Sequence, residues 1–463
     1  MAVSTFDPRT APGRSKARRR REGSRPGPVP RRWTLDAATV VVGLGMGLCV
    51  GVALTAETHG QLSAPGGIAT FLGSLTGLVG TYLALVMVLL VSRIPAVERV
   101  LGQDGLLRWH RRLAPWPISL ITAHAVLLTL GYAEAAKTGA WHELAVFLSK
   151  YPDMLMATAG LILMLAIGVA SIHSIRRRFR REAWWAFHLF MYLALALAFF
   201  HELALGPSFV GHPLSRAIWS AAWAATAGLV IVYRFGLPLV RSARHRLTVV
   251  EVRPEAPGVV SVILKGRRVE ALAISGGQFF EWRFLVPGLW WQAHPFSISA
   301  RPQAPYLRLT VKVVGDFTSA VARLRPGTPV IVEGPYGAFT THARRRTTVA
   351  LIAGGIGVTA ARSLLEDLPR GTEPVVVLRA STPDDLVLAG EIAELVRQRR
   401  GRLHEVVGPR SALVADWLSR TVPDLIDRDV YVSGSETFVA DIVDLAKEIG
   451  VPAESIHNEV YAL

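Results

Sequence analysis

Cysteine is almost absent from this chain of 463 residues, in which Cys49 is the only thiol. A single thiol excludes an intrachain disulfide framework and also a cluster held by four cysteines. Any metal in the protein must therefore be bound mainly by other side chains, and we expect no iron–sulfur cluster.

Charged residues are also scarce, at 19% of the chain against 51% hydrophobic residues, and the mean hydropathy is +0.35. Acidic residues are fewest, since 35 Asp and Glu stand against 51 Lys and Arg and leave a net charge of +16. The Arg clusters lie in the N-terminal tail and beside apolar segments, so membrane topology explains them better than nucleic-acid binding does. We expect a lipid bilayer and no nucleic acid among the partners.

A basic tail precedes the apolar part of the chain. Residues 1–32 are rich in Arg, Pro, Ser and Gly, a composition that cannot bury a core and predicts a disordered cytoplasmic tail. The charged region is too long for a cleavable signal peptide. Six apolar segments follow, each close to the length of about 20 residues that crosses a bilayer. They are 36–55, 68–91, 113–132, 154–174, 184–203 and 215–234.

Basic and neutral loops alternate between these segments. Loops 92–112 and 173–183 each carry five arginines, whereas loops 56–67 and 204–214 carry no Lys or Arg and loop 133–153 carries only two lysines. The positive-inside rule predicts a multi-pass protein of the cell membrane with its N-terminus and its C-terminal half in the cytoplasm. The third and fifth helices then run parallel.

Four histidines stand in or beside the third and fifth segments. His110 and His124 are 14 residues apart, and His188 and His201 are 13 residues apart, so each pair spans roughly 20 Å along a helix. Ionisable residues inside membrane spans favour a functional role, and imidazole is a common axial ligand of haem iron. We expect two haems, one held by His110 with His188 near the inner face and one by His124 with His201 near the outer face.

The spacing of the second pair raises a geometric difficulty. At about 100° per residue, 14 steps return to within roughly 40° of the same helix face, but 13 steps miss it by about 140°. The fifth helix must therefore kink, bulge or present its haems from different azimuths. For any one of these histidines, hydrogen bonding between helices is the simpler role.

The pattern changes after Leu237 to short alternating strands, at 244–252, 258–265, 277–285, 306–314 and 328–333. These strands predict a small antiparallel β-barrel. From about residue 347, strands alternate with helices near 358–367 and 388–399, which predicts a doubly wound parallel sheet with a nucleotide crevice. The predicted domains are a tail at 1–32, a six-helix membrane bundle at 33–237, the barrel at 238–343 and the α/β domain at 344–463.

Four short motifs lie in these two domains. His294-Pro295-Phe296-Ser297-Ile298-Ser299 offers an apolar wall and hydroxyls to a flavin, and Gly315 with Thr318 opens a helix whose N-terminus suits an anion. Gly334-Pro335-Tyr336-Gly337 closes the barrel. Ala353-Gly354-Gly355-Ile356-Gly357-Val358-Thr359 joins a strand to a helix through glycines that let the backbone approach a phosphate. A plain N-cap explains Gly315 and Thr318 as simply, turn chemistry alone explains 334–337, and buried aromatic–Ser turns like 294–299 are common. The motif at 353–359 is not the full G-x-G-x-x-G.

Taken together and in this order, the histidine pairs and the motifs at 294–299, 334–337 and 353–359 resemble the ferric reductase and NADPH oxidase family. The resemblance covers about residues 36–463, and the C-terminal half is also similar to the wider ferredoxin–NADP reductase family. Several motifs in register are far more specific than any one alone.

The resemblance implies a role for each matching residue. His110 and His188 ligate the inner b-type haem, and His124 and His201 ligate the outer one. His294, Pro295, Phe296 and Ser297 cradle the FAD ring, and Gly315 and Thr318 meet its pyrophosphate. Gly354, Gly355, Gly357 and Thr359 hold the phosphates of NADPH or NADH. The remaining cofactor-binding candidates are Gly334, Tyr336, Arg379, Ser381 and Gly434, and the catalytic candidates are Ser297, Glu459 and Tyr461.

The sequence departs from the family at three places. Ala360 stands where Pro often follows the Thr, and Ser433-Gly434-Ser435 replaces a usual Cys-Gly-Pro. Ser381 stands where an Arg often reads the 2′-phosphate, although Arg379 is two residues away. The resemblance therefore gives only a modest preference for NADPH over NADH.

By this resemblance we expect an enzyme that passes electrons from cytoplasmic NAD(P)H through FAD and two haems to an extracytoplasmic acceptor: a ferric complex, oxygen or a redox protein. The alternative is a membrane-anchored flavin reductase that serves a cytoplasmic partner, with structural histidines; a haem-binding redox sensor is a weaker third. Outer-face candidates for meeting a ferric complex are His59, His142, Glu143, Glu202 and His212, although solvated loop positions explain them more simply.

Overall fold

The computed structural model describes residues 32–56, 59–101, 103–408 and 415–461. The predicted tail lies outside these residues, apart from Arg32. The N-terminal half is helical, and its helices are α1 (Arg32–Thr55), α2 (His59–Leu62), α3 (Gly67–Val91), α4 (Pro95–Leu101), α5 (Gln103–Leu113), α6 (Pro115–Ala136), α7 (Ala140–Lys150), α8 (Met154–Ala170), α9 (His173–Arg176), α10 (Arg181–Leu205), α11 (Pro213–Leu229) and α12 (Leu237–His245).

Five helical stretches of the described chain are long and apolar enough to cross a membrane: Asp36–Thr55, Gly67–Val91, Gly105–Ala136, Glu182–Leu205 and Pro213–His245. The predicted fourth segment corresponds to α8, which has only 17 residues. It reaches the required length only with α7, from which it is bent by 117°. The helical membrane-like region thus has five to six apolar helices.

Glycines set the distances between these helices. A Cβ atom on Gly80 of α3 would lie 2.8 Å from the side chain of Ile121 in α6, and one on Gly160 of α8 would lie 2.6 Å from the carbonyl oxygen of Ala194 in α10. Lipid gives helices no hydrophobic reason to associate, so small residues that allow close packing stabilise the contact. The result is that α6 packs on α3, and α8 packs on α10.

The last membrane-length stretch carries the chain into the second half of the protein. Between α11 and α12, Val230–Gly236 forms a π-helical segment with wider turns. Segments of this kind are rare, and they occur often at functional sites. Because helical structure continues through to His245, the first sheet begins directly at the end of a membrane-length helix.

The first sheet is antiparallel, and its strands are β1 (Leu247–Ala256), β2 (Val259–Lys265), β3 (Phe279–Phe284), β4 (His294–Ser297), β5 (Tyr306–Lys312) and β6 (Pro329–Tyr336). Their order is β4-β3-β6-β1-β2-β5. Alternate residues of β3 face the core, where Phe280, Trp282 and Phe284 are fully buried. The edge strands approach each other at one bridge between Ile298 and Leu309. The antiparallel sheet is as predicted, whereas its closure into a barrel is not confirmed.

The second sheet is parallel, and its strands are β7 (Val349–Gly354), β8 (Val375–Ala380), β9 (Arg402–Val407), β10 (Asp429–Ser435) and β11 (Ile456–Tyr461). Their order is β11-β10-β7-β8-β9. The helices of the second half are α13 (Asp316–Val321), α14 (Val358–Asp367), α15 (Ala389–Gln398), α16 (Ala415–Thr421) and α17 (Glu436–Glu448). The strand order reverses between β7 and β10, and a crevice opens at the carboxyl ends of strands at such a point.

An ion cluster joins the two sheets. Arg308 on β5 forms two hydrogen bonds with the carboxylate of Glu391 on α15, at 2.7 and 2.8 Å. Arg362 on α14 donates to the same carboxylate at 2.9 Å and also pairs with Glu366. The side chains of Arg308 and Arg362 are only 10% and 11% exposed. Burial alone would raise the pKa of Glu391, but the hydrogen bonds from Arg308 and the two guanidinium charges hold it below its usual value.

Candidate functional site

The inner pair of histidines meets between α5 and α10. The ring centroids of His110 and His188 are 6.2 Å apart, and the ring planes are at 73°. His110 Nδ1 lies 3.3 Å from the carbonyl oxygen of Met87, and His188 Nδ1 lies 3.4 Å from Ser171 Oγ. With Nδ1 of each ring engaged, Nε2 is the nitrogen available to a ligand.

The outer pair meets between α6 and α10. The ring centroids of His124 and His201 are 6.3 Å apart, at an angle of 48°. His124 Nδ1 lies 2.8 Å from the carbonyl oxygen of Gly73, while His201 Nδ1 is buried without a partner among the described residues. The His124 ring lies against Gly77, where any Cβ atom would overlap Nδ1. The outer ring is therefore seated in a cradle that only glycine leaves open.

The two pairs fit an iron porphyrin. Two metal–nitrogen bonds of about 2 Å on opposite sides of one ion place the imidazole centroids roughly 6 Å apart, which both pairs match. Within the described ranges, no group of three or more His, Cys, Asp or Glu is placed to hold a metal ion. A bare ion would therefore find only two ligands, whereas a porphyrin brings four nitrogens of its own and needs two axial ligands.

The pairing shows how the helices run. His110 lies with His188 and His124 with His201, so the 32-residue stretch Gly105–Ala136 and α10 are parallel. α10 is α-helical from Arg181 to Leu205. No π-helical bulge therefore interrupts this helix. A kink and different azimuths on one helix are the possibilities that remain for the 13-residue spacing.

Two acidic residues that were predicted for the outer face are not solvated loop positions. Glu202 accepts hydrogen bonds from Thr81 Oγ1 at 3.0 Å, from Trp219 Nε1 at 2.7 Å and from Trp223 Nε1 at 3.3 Å. Glu143 is buried on α7 and accepts a hydrogen bond from Thr138. His142 and His212 are exposed, and the side chain of His59 lies outside the described part. The expectation that Glu143 and Glu202 are solvated is wrong, because each forms part of the helix packing.

Ser297 and Tyr461 meet where the two sheets adjoin. Ser297 Oγ on β4 and the Tyr461 hydroxyl on β11 are 2.7 Å apart, and Thr359 Oγ1 lies 3.5 Å from the same hydroxyl. Burial, and then the charge of Glu459 two residues away, raise the pKa of Tyr461. The phenol therefore stays protonated at neutral pH and can donate a hydrogen bond to the strand or to a ring placed there.

An aromatic cluster adjoins β4. The His294 ring stacks on Phe317 of α13 with centroids 3.7 Å apart, and the ring of Phe296 lies 6.2 Å from Phe317. Trp282 Nε1 donates to the carbonyl oxygen of Phe296 at 2.8 Å. Sequence reasoning missed Phe317, although an aromatic residue directly after Gly315-Asp316 was the available signal. The Thr318 hydroxyl is committed to local capping, since it accepts from the N–H groups of Val314 and Gly315.

The glycines of β7 line the predicted crevice. Gly354 and Gly355 border a cavity of about 170 Å³ that also contacts Arg379, Ser381 and Tyr461. Gly355 has a φ of 55°, a left-handed conformation that glycine adopts without strain. A Cβ atom on Gly357 would overlap the carbonyl group of Ser433 on β10. Sequence reasoning missed two further residues of this cavity, Lys312 and Asp385, which pair at 3.9 Å across the two sheet domains.

Other candidates lie deeper or at the rim of this cavity. Gly434 abuts Phe438, whose side chain a Cβ atom would meet at 2.6 Å. Thr359 is buried, and its hydroxyl donates to Ile356 O at 2.9 Å. Arg379 donates to Gly408 O at 2.9 Å and to Ser381 Oγ at 3.3 Å, while its Nε is buried without a partner.

Gly334 and Tyr336 lie instead at the seam, which is the contact between the first sheet and the helical half. Arg241 of α12 donates to the carbonyl oxygen of Gly334, and the Arg93 guanidinium lies 4.3 Å above the Tyr336 ring. Burial raises the pKa of Tyr336 to about 12. Phe279 on β3 is paired with both Tyr336 and Ser297, so Tyr336 stands two strands from the meeting point with Tyr461. The structure does not bring Gly334 and Tyr336 to the cavity of the glycines.

The seam itself is charged. Arg93 pairs with Glu281 at 3.4 Å, and Arg234 of the π-helical segment pairs with Glu333 at 2.7 Å. Glu98 of α4 borders a cavity of about 50 Å³ there, and burial raises the pKa of this carboxyl to about 7. These contacts fix the first sheet against the ends of the membrane-length helices.

Comparison with known families gives two matches. Residues 76–199 match the ferric reductase like transmembrane component, and residues 252–340 match an FAD-binding domain. The first match includes His110, His124 and His188 and ends two residues before His201, and the second includes His294–Ser297, Gly315, Thr318, Gly334 and Tyr336.

Individual relatives are similar over part of the chain. The putative respiratory burst oxidase homolog protein G of Arabidopsis thaliana is 26% identical over 45% of this chain and 26% of its own length. The ferric/cupric reductase transmembrane component 1 of Candida albicans is 26% identical over 64% of this chain and 37% of its own. Ferredoxin–NADP reductase B of Sorangium cellulosum is 25% identical over 48% of this chain and all of its own. The matched part thus spans well under half of the two membrane relatives.

Among solved structures, a flavohemoglobin from Malassezia yamatoensis covers 83% of this chain and 98% of its own, with a TM-score of 0.43 and 15% identity. A ferredoxin NADP+ reductase from Neisseria gonorrhoeae covers 47% of this chain and 98% of its own, with a TM-score of 0.40 and 14% identity.

Proposed function

We propose that this chain, which belongs to the ferric reductase and NADPH oxidase family, is a transmembrane oxidoreductase. It carries electrons from cytoplasmic NAD(P)H through FAD and two b-type haems to an acceptor on the far side of the membrane. The observation that carries the proposal is the pair of His–His contacts, at 6.2 and 6.3 Å, on two parallel membrane-length helices.

The cofactors supply the redox chemistry: FAD accepts a hydride and releases single electrons, and a b-type haem carries one electron at a time. The chain sets their positions. His110 with His188 and His124 with His201 fix two levels separated by roughly 20 Å along each helix. Carbonyl groups of Met87 and Gly73 orient His110 and His124 and leave Nε2 free.

The soluble half positions the donor. His294, Pro295, Phe296 and Ser297 present one wall to the flavin ring, and Gly315 with Thr318 lies beside its pyrophosphate. Gly354 and Gly355 take the dinucleotide phosphates, with Arg379 and Ser381 around them. Gly357, Thr359 and Gly434 pack behind this turn and keep it in place. Glu459 and Tyr461 close the space between flavin and nicotinamide, while Gly334 and Tyr336 hold the flavin domain against the membrane half.

The orientation follows from charge. The loops that carry Arg93 and Arg176–Arg178 are basic, and Arg93 pairs with Glu281 of the first sheet. Positive residues favour the cytoplasmic side. We therefore place both termini in the cytoplasm and the chain in the cell membrane, with the His124–His201 pair nearer the outer face.

The acceptor is a ferric complex, oxygen or a redox protein. We favour a ferric complex slightly over oxygen. Both an oxidase and a ferric/cupric reductase occur among the relatives. Oriented vesicles supplied with NAD(P)H distinguish the cases, because an impermeant ferric chelate and a superoxide probe report two different products. Faster chelate reduction than superoxide formation supports the ferric assignment, and the reverse result supports oxygen.

A pyridine haemochrome assay on the purified protein tests whether the chain holds the two haems of the proposed electron path. About two haems per chain are expected. H124A and H201A should each retain one haem and NAD(P)H-dependent flavin reduction while losing transfer across the membrane. H142A, which alters an exposed histidine on α7, is the matched control and should keep both haems. FAD without haem in the wild-type chain would leave a membrane-anchored flavin reductase as the function.

A further inference from the structure

One indole beside the inner histidine pair has an unused hydrogen-bond donor. Trp184 stands one helical turn before His188 on α10, and its ring stacks on that imidazole with centroids 5.0 Å apart and planes at 26°. Its Nε1 is buried and has no partner among the described residues. Indole nitrogen can only donate, so the missing partner must be an acceptor.

Other indoles of the helical half do find acceptors. Trp219 and Trp223 both donate to Glu202. A buried donor left unpaired is unfavourable and rare in native proteins. Trp184 therefore differs from these two indoles in facing a position where the described residues offer no acceptor.

A positive charge lies on the same indole. The Arg176 guanidinium stands 4.2 Å from the Trp184 ring centroid. An N–H donor and a cation together favour an anionic acceptor, and their position against His188 places that anion at the inner iron site. Haem brings two carboxylates on its own rim, which is the anion expected at this distance from an axial ligand.

We propose that Trp184 and Arg176 bind a carboxylate of the inner haem, with Trp184 Nε1 donating the hydrogen bond. This inference rests on the proposed function, since it requires a haem between His110 and His188. Trp184 acts here as a positioning residue: it packs on the axial imidazole and fixes the rotation of the porphyrin about the iron–nitrogen axis. Both groups also offset negative charge near the iron.

The test is W184F, which keeps an aromatic ring against His188 and removes only the N–H. With natural haem, W184F should lower the midpoint potential of the inner haem and weaken haem retention about tenfold, the effect of losing one hydrogen bond to a charged group. W185F, at the adjacent exposed indole, is the matched control and should leave both quantities unchanged. R176Q, at an exposed side chain, should lower the potential without removing the stack.

Reconstitution of the full chain with haem dimethyl ester identifies the acceptor. The ester carries no negative charge and offers only a weaker carbonyl acceptor, so the difference between W184F and wild type in potential and retention should shrink well below its size with natural haem. A W184F effect that persists undiminished with the ester would assign the acceptor to a lipid phosphate or to the stack and overturn the proposal. Equality of W184F and W185F with natural haem would also overturn it. Absence of haem from the wild-type inner pair would instead contradict the proposed function.

Discussion

At the scale of single residues, the position of the His124 ring depends on Gly77, which has no side chain. Gly77 has no Cβ atom, and the His124 ring fills the place where one would stand. The ring is then held by Gly73 O at 2.8 Å. The glycine at position 77 is explained by the space that the His124 ring needs rather than by backbone conformation.

Replacing Gly77 by alanine should displace the outer imidazole. The added methyl group overlaps His124 Nδ1, so the ring must move away from both Gly73 O and His201, and we expect G77A to retain the inner haem and to lose most of the outer one. G47A is the matched control, because a Cβ atom there meets nothing within 4 Å. Haem content by pyridine haemochrome measures both; two haems in G77A would contradict the prediction.

Residue patterns in the sequence indicated which residues matter but not always what they contact. His110 lies with His188 and His124 with His201, as the topology predicted, whereas the contact of Ser297 with Tyr461 was not predicted. Phe317, Lys312 and Trp184 were missed because their roles depend on contacts between distant segments. Glu202 was misread as an outer-face loop residue, since its three donors come from α3 and α11.

At the scale of elements, α10 carries one histidine of each pair on an unbroken helix. The spacing of 13 positions from His188 to His201 turns the second ring by about 140° from the first. The distance from each ring to its partner ring is nevertheless nearly equal, at 6.2 and 6.3 Å. The two pairs thus occupy different sides of the same helix. The register of α10 between these residues is therefore critical to both pairs.

A single alanine inserted after Leu193 should separate the two sites. It turns His201 by about 100° relative to His188, so the outer pair should be lost while the inner pair persists, and one haem per chain should remain. An alanine inserted between the exposed Gly211 and His212 is the control, because both pairs precede it. Low-spin haem spectra and haem content give the readout, and two intact low-spin haems in the first variant would count against the assignment.

Element boundaries were predictable where length and periodicity were strong. The helix expected at 358–367 is observed as Val358–Asp367, and the segment expected at 184–203 lies within Arg181–Leu205. α7 was missed because its 11 residues are too few to span, and its packing depends on contacts such as that of Phe147 with Tyr132 at 5.3 Å. The π-helical segment left no signal in the pattern.

At the scale of the whole molecule, the first sheet is fixed on both sides by ion pairs. Arg93 and Arg234 connect it to the helical half through Glu281 and Glu333, and Arg308 connects it to the second sheet through Glu391. Glu391 receives two largely buried guanidinium groups, which otherwise contact Ser299 in the case of Arg308 and Glu366 in the case of Arg362. Loss of the Glu391 charge leaves the positive charges of Arg308 and Arg362 to repel each other in a poorly solvated place.

E391Q should destabilise the contact between the sheets by about 2 kcal/mol, a reduced form of the cost of breaking a buried pair. The pKa of Glu391 is lowered in the folded protein, so its contribution is complete above the unfolded pKa and is lost as pH falls through the folded value. The wild type should therefore lose this stabilisation only below about pH 4.5, and E391Q should lack it at every pH.

Thermal unfolding followed across pH measures the difference. The control is E394Q on the same helix, where Glu394 and Arg397 form an exposed surface pair that is worth little. Equal midpoints for E391Q and E394Q at pH 7 would show that the cluster does not hold the sheets together.

The unbroken course of α10 has a consequence for how the protein meets different bilayers. Helices answer a change in hydrocarbon thickness mainly by tilting, and tilt does not alter a rise of about 1.5 Å per residue along the axis. The interval between the two histidine levels is thus set by covalent geometry within one helix, not by the lipid. A thinner or thicker membrane would change how far each histidine pair lies from water while leaving the distance between the two pairs along the helix the same.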